Sequence, residues 1–174
     1  MTERKITNLP ASIRQRLLQV AQASNRPFQE VLQYYAMERF LFRLSVSPHV
    51  ERFILKGALM MTAWGASATR PTRDIDLLGY LPNHVESLVE IIREVCRQDV
   101  EPDALSFDPA STPLSSSGMS IGTETGCSSR RNSRLISSNI WCSDSGPLPE
   151  AGKRQSEAVV NLPFELHRIG LIDG

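Results

Sequence analysis

The sequence predicts an α/β or α+β layer, because helical stretches and short strand-like runs alternate as helix, strand, helix, strand, helix. Two observations carry this. Three segments repeat apolar residues at three- and four-residue spacing, and two short apolar runs, Phe53-Ile54-Leu55 and the one around Ile75 and Leu77, have strand length. Composition supplies a third: 174 residues with 41% hydrophobic and 22% charged residues make a soluble balance with enough apolar mass for a core.

After Pro10, Ile13, Leu17, Val20 and Ala21 share one helical face, with Arg14, Arg16 and Gln19 on the other. Ser24-Asn25-Arg26 breaks this helix and supplies a cap, and Pro27 suits the first turn of the next, where its missing N–H has no partner to lose. Phe28, Val31, Leu32, Tyr35, Phe40 and Leu44 give the second helix a wide apolar face that runs to about Ser45, before the break at Pro48. Its aromatics Phe28, Tyr34, Tyr35, Phe40 and Phe42 read as core packing rather than base-stacking groups. The run from Phe53 reaches Gly57 and passes into a helix-compatible segment, Ala58 to Trp64. A second strand follows around Asp74–Leu77. Leu81-Pro82-Asn83 makes a turn, Asn83 and Glu86 resemble a capping box, and Val85, Leu88, Val89, Ile92, Val95 and Cys96 form the stripe of a third long helix over the strands.

Near Phe107-Asp108-Pro109 the character changes. From Ser111 to Pro149 twelve of thirty-nine residues are serine, and apolar residues come only singly or in pairs such as Leu135-Ile136 and Ile140-Trp141. The reading is a folded domain over 1–108 and a serine-rich, poorly ordered tail over 109–174, with isolated strands at most at Ala158–Val160 and around Phe164 and Leu166.

Nineteen basic and nineteen acidic residues cancel, so global charge does not select a nucleic-acid partner. No signal peptide opens the chain and no apolar run reaches the length of a membrane helix, which makes a cytoplasmic location the expectation. Cys96, Cys127 and Cys142 show neither CxxC nor Cys/His spacing and read as free thiols.

The chemistry concentrates between Phe53 and Gly79. In a strand, Asp74 and Asp76 project to one side while Ile75 and Leu77 pack on the other. Two neighbouring carboxylates repel unless a cation lies between them, and Mg²⁺, bound by one or two carboxylates plus substrate phosphates, is the usual answer. A lone D-x-D is a weak signal, but its surroundings agree with it. Lys56 and Gly57 place a glycine where a helix begins, so that backbone N–H groups can meet an anionic phosphate, and Arg70, Thr72 and Arg73 add positive charge and a hydroxyl nearby. Singly, Lys56, Arg70 and Arg73 read equally well as solvated surface charges.

The pattern K-G-A-L at 56–59, R-x-T-x-D-I-D-L-L at 70–78 and R-F-L-F-R-L-S-x-S-P-H-x-E-R-F at 39–53 resembles the AbiEii/AbiGii toxin family of nucleotidyltransferases, over roughly residues 6–108. The resemblance implies the minimal nucleotidyltransferase fold, a mixed sheet flanked by helices. It also implies metal-binding, catalytic carboxylates at Asp74 and Asp76 and a nucleotide site at Lys56, Gly57, Ala58, Arg70, Thr72 and Arg73. Such proteins use Mg²⁺ to transfer a nucleotide from a nucleoside triphosphate. They act as toxins against which a cognate antitoxin protein is directed, in abortive-infection (phage-defence) or toxin–antitoxin operons, and some relatives modify transfer RNA. The chain departs from the pattern in two places. Ala58 stands where the superfamily has a second glycine or serine, and no third carboxylate is identifiable, since neither Asp144 nor Asp173 sits in an alternating strand. With the change near residue 108, this raises a second expectation: an apparently truncated, non-catalytic remnant that at most binds nucleotide or a partner protein, following a frameshift near residues 108–120.

Overall fold

The computed structural model describes residues 8–63, 72, 74–81, 85–108, 114–115, 118–125 and 133–142, from 114 onward as backbone. In chain order the elements are α1 (Leu9–Ser24), α2 (Phe28–Val46), β1 (Phe53–Lys56), α3 (Gly57–Ala63), β2 (Asp74–Gly79), α4 (Val85–Cys96), β3 (Leu105–Asp108), β4 (Leu114–Ser115), β5 (Gly118–Thr125) and β6 (Ser133–Cys142). The strands form one six-stranded sheet in the order β1-β2-β6-β5-β3, with β4 paired to β5. Only β2 and β6 run parallel; the other pairs are antiparallel, so the sheet is mixed and the fold is α+β, as expected.

Local chemistry sets the helix ends. The Asn8 side chain accepts from the Ala11 N–H at 3.1 Å, and Pro10 occupies the first turn of α1, where it costs no intrahelical hydrogen bond. Asn25 then ends the helix in the left-handed region at φ 53°, its N–H bonding back to Gln22. Ile13, Leu17 and Ala21 form the buried face. The α2 helix stops where the Ser47 hydroxyl donates to the Leu44 carbonyl, just before Pro48.

Helix α2 is the centre of the molecule. Every residue from Tyr34 to Leu41 is buried, because α1, α4 and β6 all pack against it. The expected single apolar face is therefore too narrow, and Glu38, Arg39 and Arg43 are buried with the rest. The aromatics divide: Tyr34, Tyr35 and Phe40 are core, whereas Phe42 is exposed and lies under the Arg39 guanidinium, 4.4 Å from its ring centre. On α4 the buried stripe is Leu88, Ile91, Ile92, Val95 and Cys96; Ile91 joins the expected set, while Val89 is only partly buried. Burial pushes the Cys96 thiol up to about 12, which removes it from thiolate chemistry. His49 Nε2 and Glu94 Oε2, 2.5 Å apart, tie the α2–β1 connection to α4.

The buried charges of α2 converge on one residue. Asp103 Oδ2 accepts from Arg39 Nε and Arg43 Nη1, both at 2.7 Å, while Oδ1 accepts from Arg43 Nη2 at 3.2 Å and from the Leu105 N–H at 3.1 Å. The Tyr35 hydroxyl donates to the Asp103 carbonyl at 2.8 Å. Burial alone would raise the Asp103 carboxyl, but hydrogen bonds and charge from Arg43 and Arg39 outweigh it and hold the group below its ordinary range. The loop is thereby fixed on α2, and β3 leaves it with Phe107 packed edge-on against Phe40, ring centres 5.9 Å apart, and beneath Arg43.

The serine-rich segment departs from expectation. Residues 114–115, 118–125 and 133–142 are strands, and β6 lies inside the sheet between β2 and β5. Strand ladders are built from backbone N–H and C=O groups, which serine and threonine supply as well as any residue, so they need no long apolar periodicity. The isolated apolar pairs Leu135-Ile136 and Ile140-Trp141 both fall within β6. The strand expectations at 158–160 and 164–166, with Asn83, Trp64, Cys127, Asp144 and Asp173, lie outside the described residues.

Two outcomes follow. Asp103→Asn strips the countercharge from two buried guanidinium groups and should cost about 3 to 5 kcal/mol, read from the denaturant midpoint. Glu38 is only 6% exposed, its Oε2 has no hydrogen-bond partner among the described residues, and burial pushes its carboxyl from 4.5 to about 7 against a smaller opposing effect of Arg39. The native state then holds a proton that the unfolded chain loses, so stability should fall as pH rises from 4.5 to 7 and level off above. Glu38→Gln should abolish that slope and gain up to about 3 kcal/mol at neutral pH, as checked by melts across the pH range.

Candidate functional site

β1 carries the chain to the site and stops there. Its antiparallel register sets Phe53 opposite Gly79, Leu55 opposite Leu77, and Lys56 opposite Asp76. Residues directly opposite one another share a face, so Lys56 and Asp76 are neighbours on one side of the sheet while Leu55 and Leu77 meet in the core on the other. Ile75 and Leu77, at 0% and 1% exposure, anchor β2, and the alternate residues Asp74 and Asp76 are only half-buried. The apolar/acidic alternation of D-I-D-L is thus what turns both carboxylates away from the core.

At Gly57 the chain leaves β1 for α3 with φ at +70°. A Cβ here would lie 2.2 Å from Asp76 Oδ2, so the carboxylate occupies the space that any other residue's side chain would need. Glycine is required twice over, for its conformation and for this approach. Leu59, 1% exposed, fixes α3 in the core immediately after the turn, and Ala58 is exposed beside it.

Thr72 precedes the acids. Its N–H donates to the Tyr34 hydroxyl at 3.0 Å, and its own hydroxyl donates to the Asp74 carbonyl at 3.2 Å. The side chain expected to meet a phosphate is here bonded to the strand that holds the acids. Arg70 and Arg73 lie outside the described residues. Lys56, Gly57, Ala58, Asp74 and Asp76 are thus gathered at one end of the β1–β2 pair, with Thr72 behind them.

Three residues beside the site were missed from the sequence. Tyr34 was assigned to packing, and its hydroxyl contact with Thr72 adds a role beyond that of a core aromatic. On the far side of β2, the parallel register sets Ser137 beside Asp74 and Asn139 beside Asp76. Nothing in the serine-rich sequence marks these positions. Among the described residues no group of three His, Cys, Asp or Glu side chains comes together, so the acid pair has no third carboxylate or imidazole companion there.

Two hard oxygen donors on one face, with the space beside Asp76 kept clear by Gly57 and an exposed ammonium opposite, suit a divalent cation that takes its remaining ligands from water and phosphate. A mixed sheet bearing such a pair next to a strand–glycine–helix turn defines an α+β nucleotidyltransferase-like protein. The chain belongs to the nucleotidyl transferase AbiEii toxin family of type IV toxin–antitoxin systems, whose family model matches residues 39–135. The match starts within α2 and ends within β6, so it begins later than residue 6 and runs past residue 108, beyond the extent the motifs implied. No curated protein matches the chain. No helix among the described residues is long and apolar enough to cross a membrane.

Gly57→Ala should both strain the backbone and displace the Asp76 carboxylate. A left-handed conformation costs a non-glycine residue about 1 to 2 kcal/mol before any clash is counted, so a lower melting temperature together with weakened binding of Mg²⁺ is the expected outcome.

Proposed function

We propose that this chain is a nucleotidyltransferase toxin that transfers a nucleotide from a nucleoside triphosphate with Mg²⁺, and that a cognate antitoxin protein opposes it. The observation that supports this best is the approach of the Asp76 carboxylate to Gly57, with Asp74 two residues away on the same face. Asp74 and Asp76 would hold the metal, which when bound neutralises phosphate charge and lowers the pKa of a coordinated hydroxyl. Lys56, opposite Asp76 and exposed, supplies a point charge toward phosphate oxygens, and Arg70 and Arg73 are proposed for the same task. Thr72 keeps the β2 strand entry in place. Leu55, Ile75 and Leu77 form the apolar floor that keeps the acid-bearing strand from shifting. Transfer RNA is the acceptor to try first, an abortive-infection or toxin–antitoxin operon is the proposed setting, and the cytoplasm is the proposed location.

A second reading has one observation in its favour. The β6 residues beside the acid pair are Ser137 and Asn139, neither of which is ionised, so β6 does not supply there the third charge that would help deprotonate an acceptor hydroxyl. On that reading the chain binds nucleotide or a partner protein without catalysing transfer.

Calorimetry with each nucleoside triphosphate, with and without Mg²⁺, tests the site. Asp74→Asn/Asp76→Asn should abolish the Mg²⁺-dependent part of the affinity, since too few hard ligands remain; an unchanged Mg²⁺ effect would remove the metal assignment. Transfer of labelled nucleotide to RNA or protein by the full chain, lost in Asp74→Asn, would decide for catalysis over binding alone.

A further inference from the structure

The two acids are not held alike. Asp76 lies between two strands, paired with Lys56 of β1 on one side and Asn139 of β6 on the other. Asp74 has β6 on one side only: the β1 ladder ends at the Lys56–Asp76 pair, because the chain turns away at Gly57 into α3. Beyond that end, among the described residues, the first residues of β2 have no strand on the β1 side to fix them. Tolerances at a metal site are small, and a carboxylate on a strand end held from one side is free to pivot with its backbone.

The place of the missing ladder is taken by a side chain from the central helix. The Tyr34 hydroxyl, on a residue 6% exposed, accepts the Thr72 N–H at 3.0 Å, and the Thr72 hydroxyl donates to the Asp74 carbonyl at 3.2 Å. Two hydrogen bonds in series therefore join α2 to the backbone of Asp74. The Tyr34 ring cannot drift, since it lies in the α2 core with the Arg26 guanidinium 5.8 Å from its centre. A phenylalanine would fill the same core volume without the hydroxyl that accepts the Thr72 N–H.

We infer that Tyr34 is a positioning residue for the metal site, acting through Thr72 to set the Asp74 carboxylate, a role distinct from core packing. This deepens the proposed function and rests on it. Tyr34 does not touch the metal or the nucleotide, so its effect should appear only in what Asp74 contributes.

The experiment measures triphosphate affinity of the full chain with Mg²⁺ and with chelator, and takes the ratio of the two. In Tyr34→Phe the ratio should fall about fivefold, the worth of one ordinary hydrogen bond, while affinity in chelator stays the same. Thr72→Val, which keeps the N–H and loses the hydroxyl bond to Asp74, should lower the ratio likewise. In an Asp74→Asn background Tyr34→Phe should change nothing further. A drop of equal size with and without Mg²⁺ would mean that Tyr34 is merely structural, and would overturn the inference. If Asp74→Asn collapses the ratio but Tyr34→Phe and Thr72→Val leave it intact, the inference fails and the metal site stands; if Asp74→Asn leaves the ratio intact, the site itself is wrong. Should Tyr34→Phe lose its far-ultraviolet dichroism, Thr72→Val decides by the same ratio.

Discussion

Arg39 and Arg43 reach Asp103 from one turn of α2 to the next, and this clamp ties the start of β3 to the central helix. Without it the residues after α4 would carry a buried carboxylate and leave two buried cations uncompensated, a cost no apolar contact nearby could offset. With it, the loop takes the shape it needs, including the left-handed Ala104 at φ 56°, and β3 emerges at a fixed place on α2. β3 then receives β5, β5 receives β6, and β6 lies against the acid-bearing strand β2. The site thus depends on an ion cluster on a different element through a chain of strand pairings. Buried charge of this kind adds little net stability over apolar packing, but it accepts one arrangement of partners, which fixes where the sheet starts.

Much of the fold could be read in the sequence, and what could not has physical reasons. The periodicities of α1 and α4, the strand runs of β1 and β2 and the breaks at Asn25 and Pro48 all fall where the structure has them. What failed was the assumption that a helix has one wet face. α2 is covered on several sides, so its charged residues are internal, and periodicity carries no sign that Arg39 and Arg43 share an acid sixty residues away. The strands β4 to β6 were missed for a different reason: a ladder is made by the backbone, and serine-rich sequence neither announces it nor forbids it.

At the site the acid pair, Lys56 and Gly57 were legible because each rests on local geometry: alternation along a strand, or a glycine at a strand–helix turn. The Gly57–Asp76 approach was half legible. Sequence indicates that a glycine is wanted at the turn, and only the structure shows that a carboxylate occupies the space the missing Cβ leaves. Thr72 was placed in the right neighbourhood, but its bond to the Asp74 carbonyl was not foreseen. Ser137 and Asn139 were invisible, because a parallel neighbour is set by topology and leaves no local mark.

The parallel pairing of β2 with β6 also sets an order in time. Asp74 pairs with Ser137, and the intervening chain must be synthesised and brought back before β2 acquires its second neighbour. Contacts of such long sequence separation form late, because loop-closure entropy is spent before they form. As the chain leaves the ribosome, Asp76 can be flanked by β1 alone and Asp74 lies past the end of that ladder, on a strand edge still open. For a protein of a toxin family, the face that bears the acid pair would then be assembled among the last features of the fold, and a nascent chain would carry its acids long before β6 lies beside them.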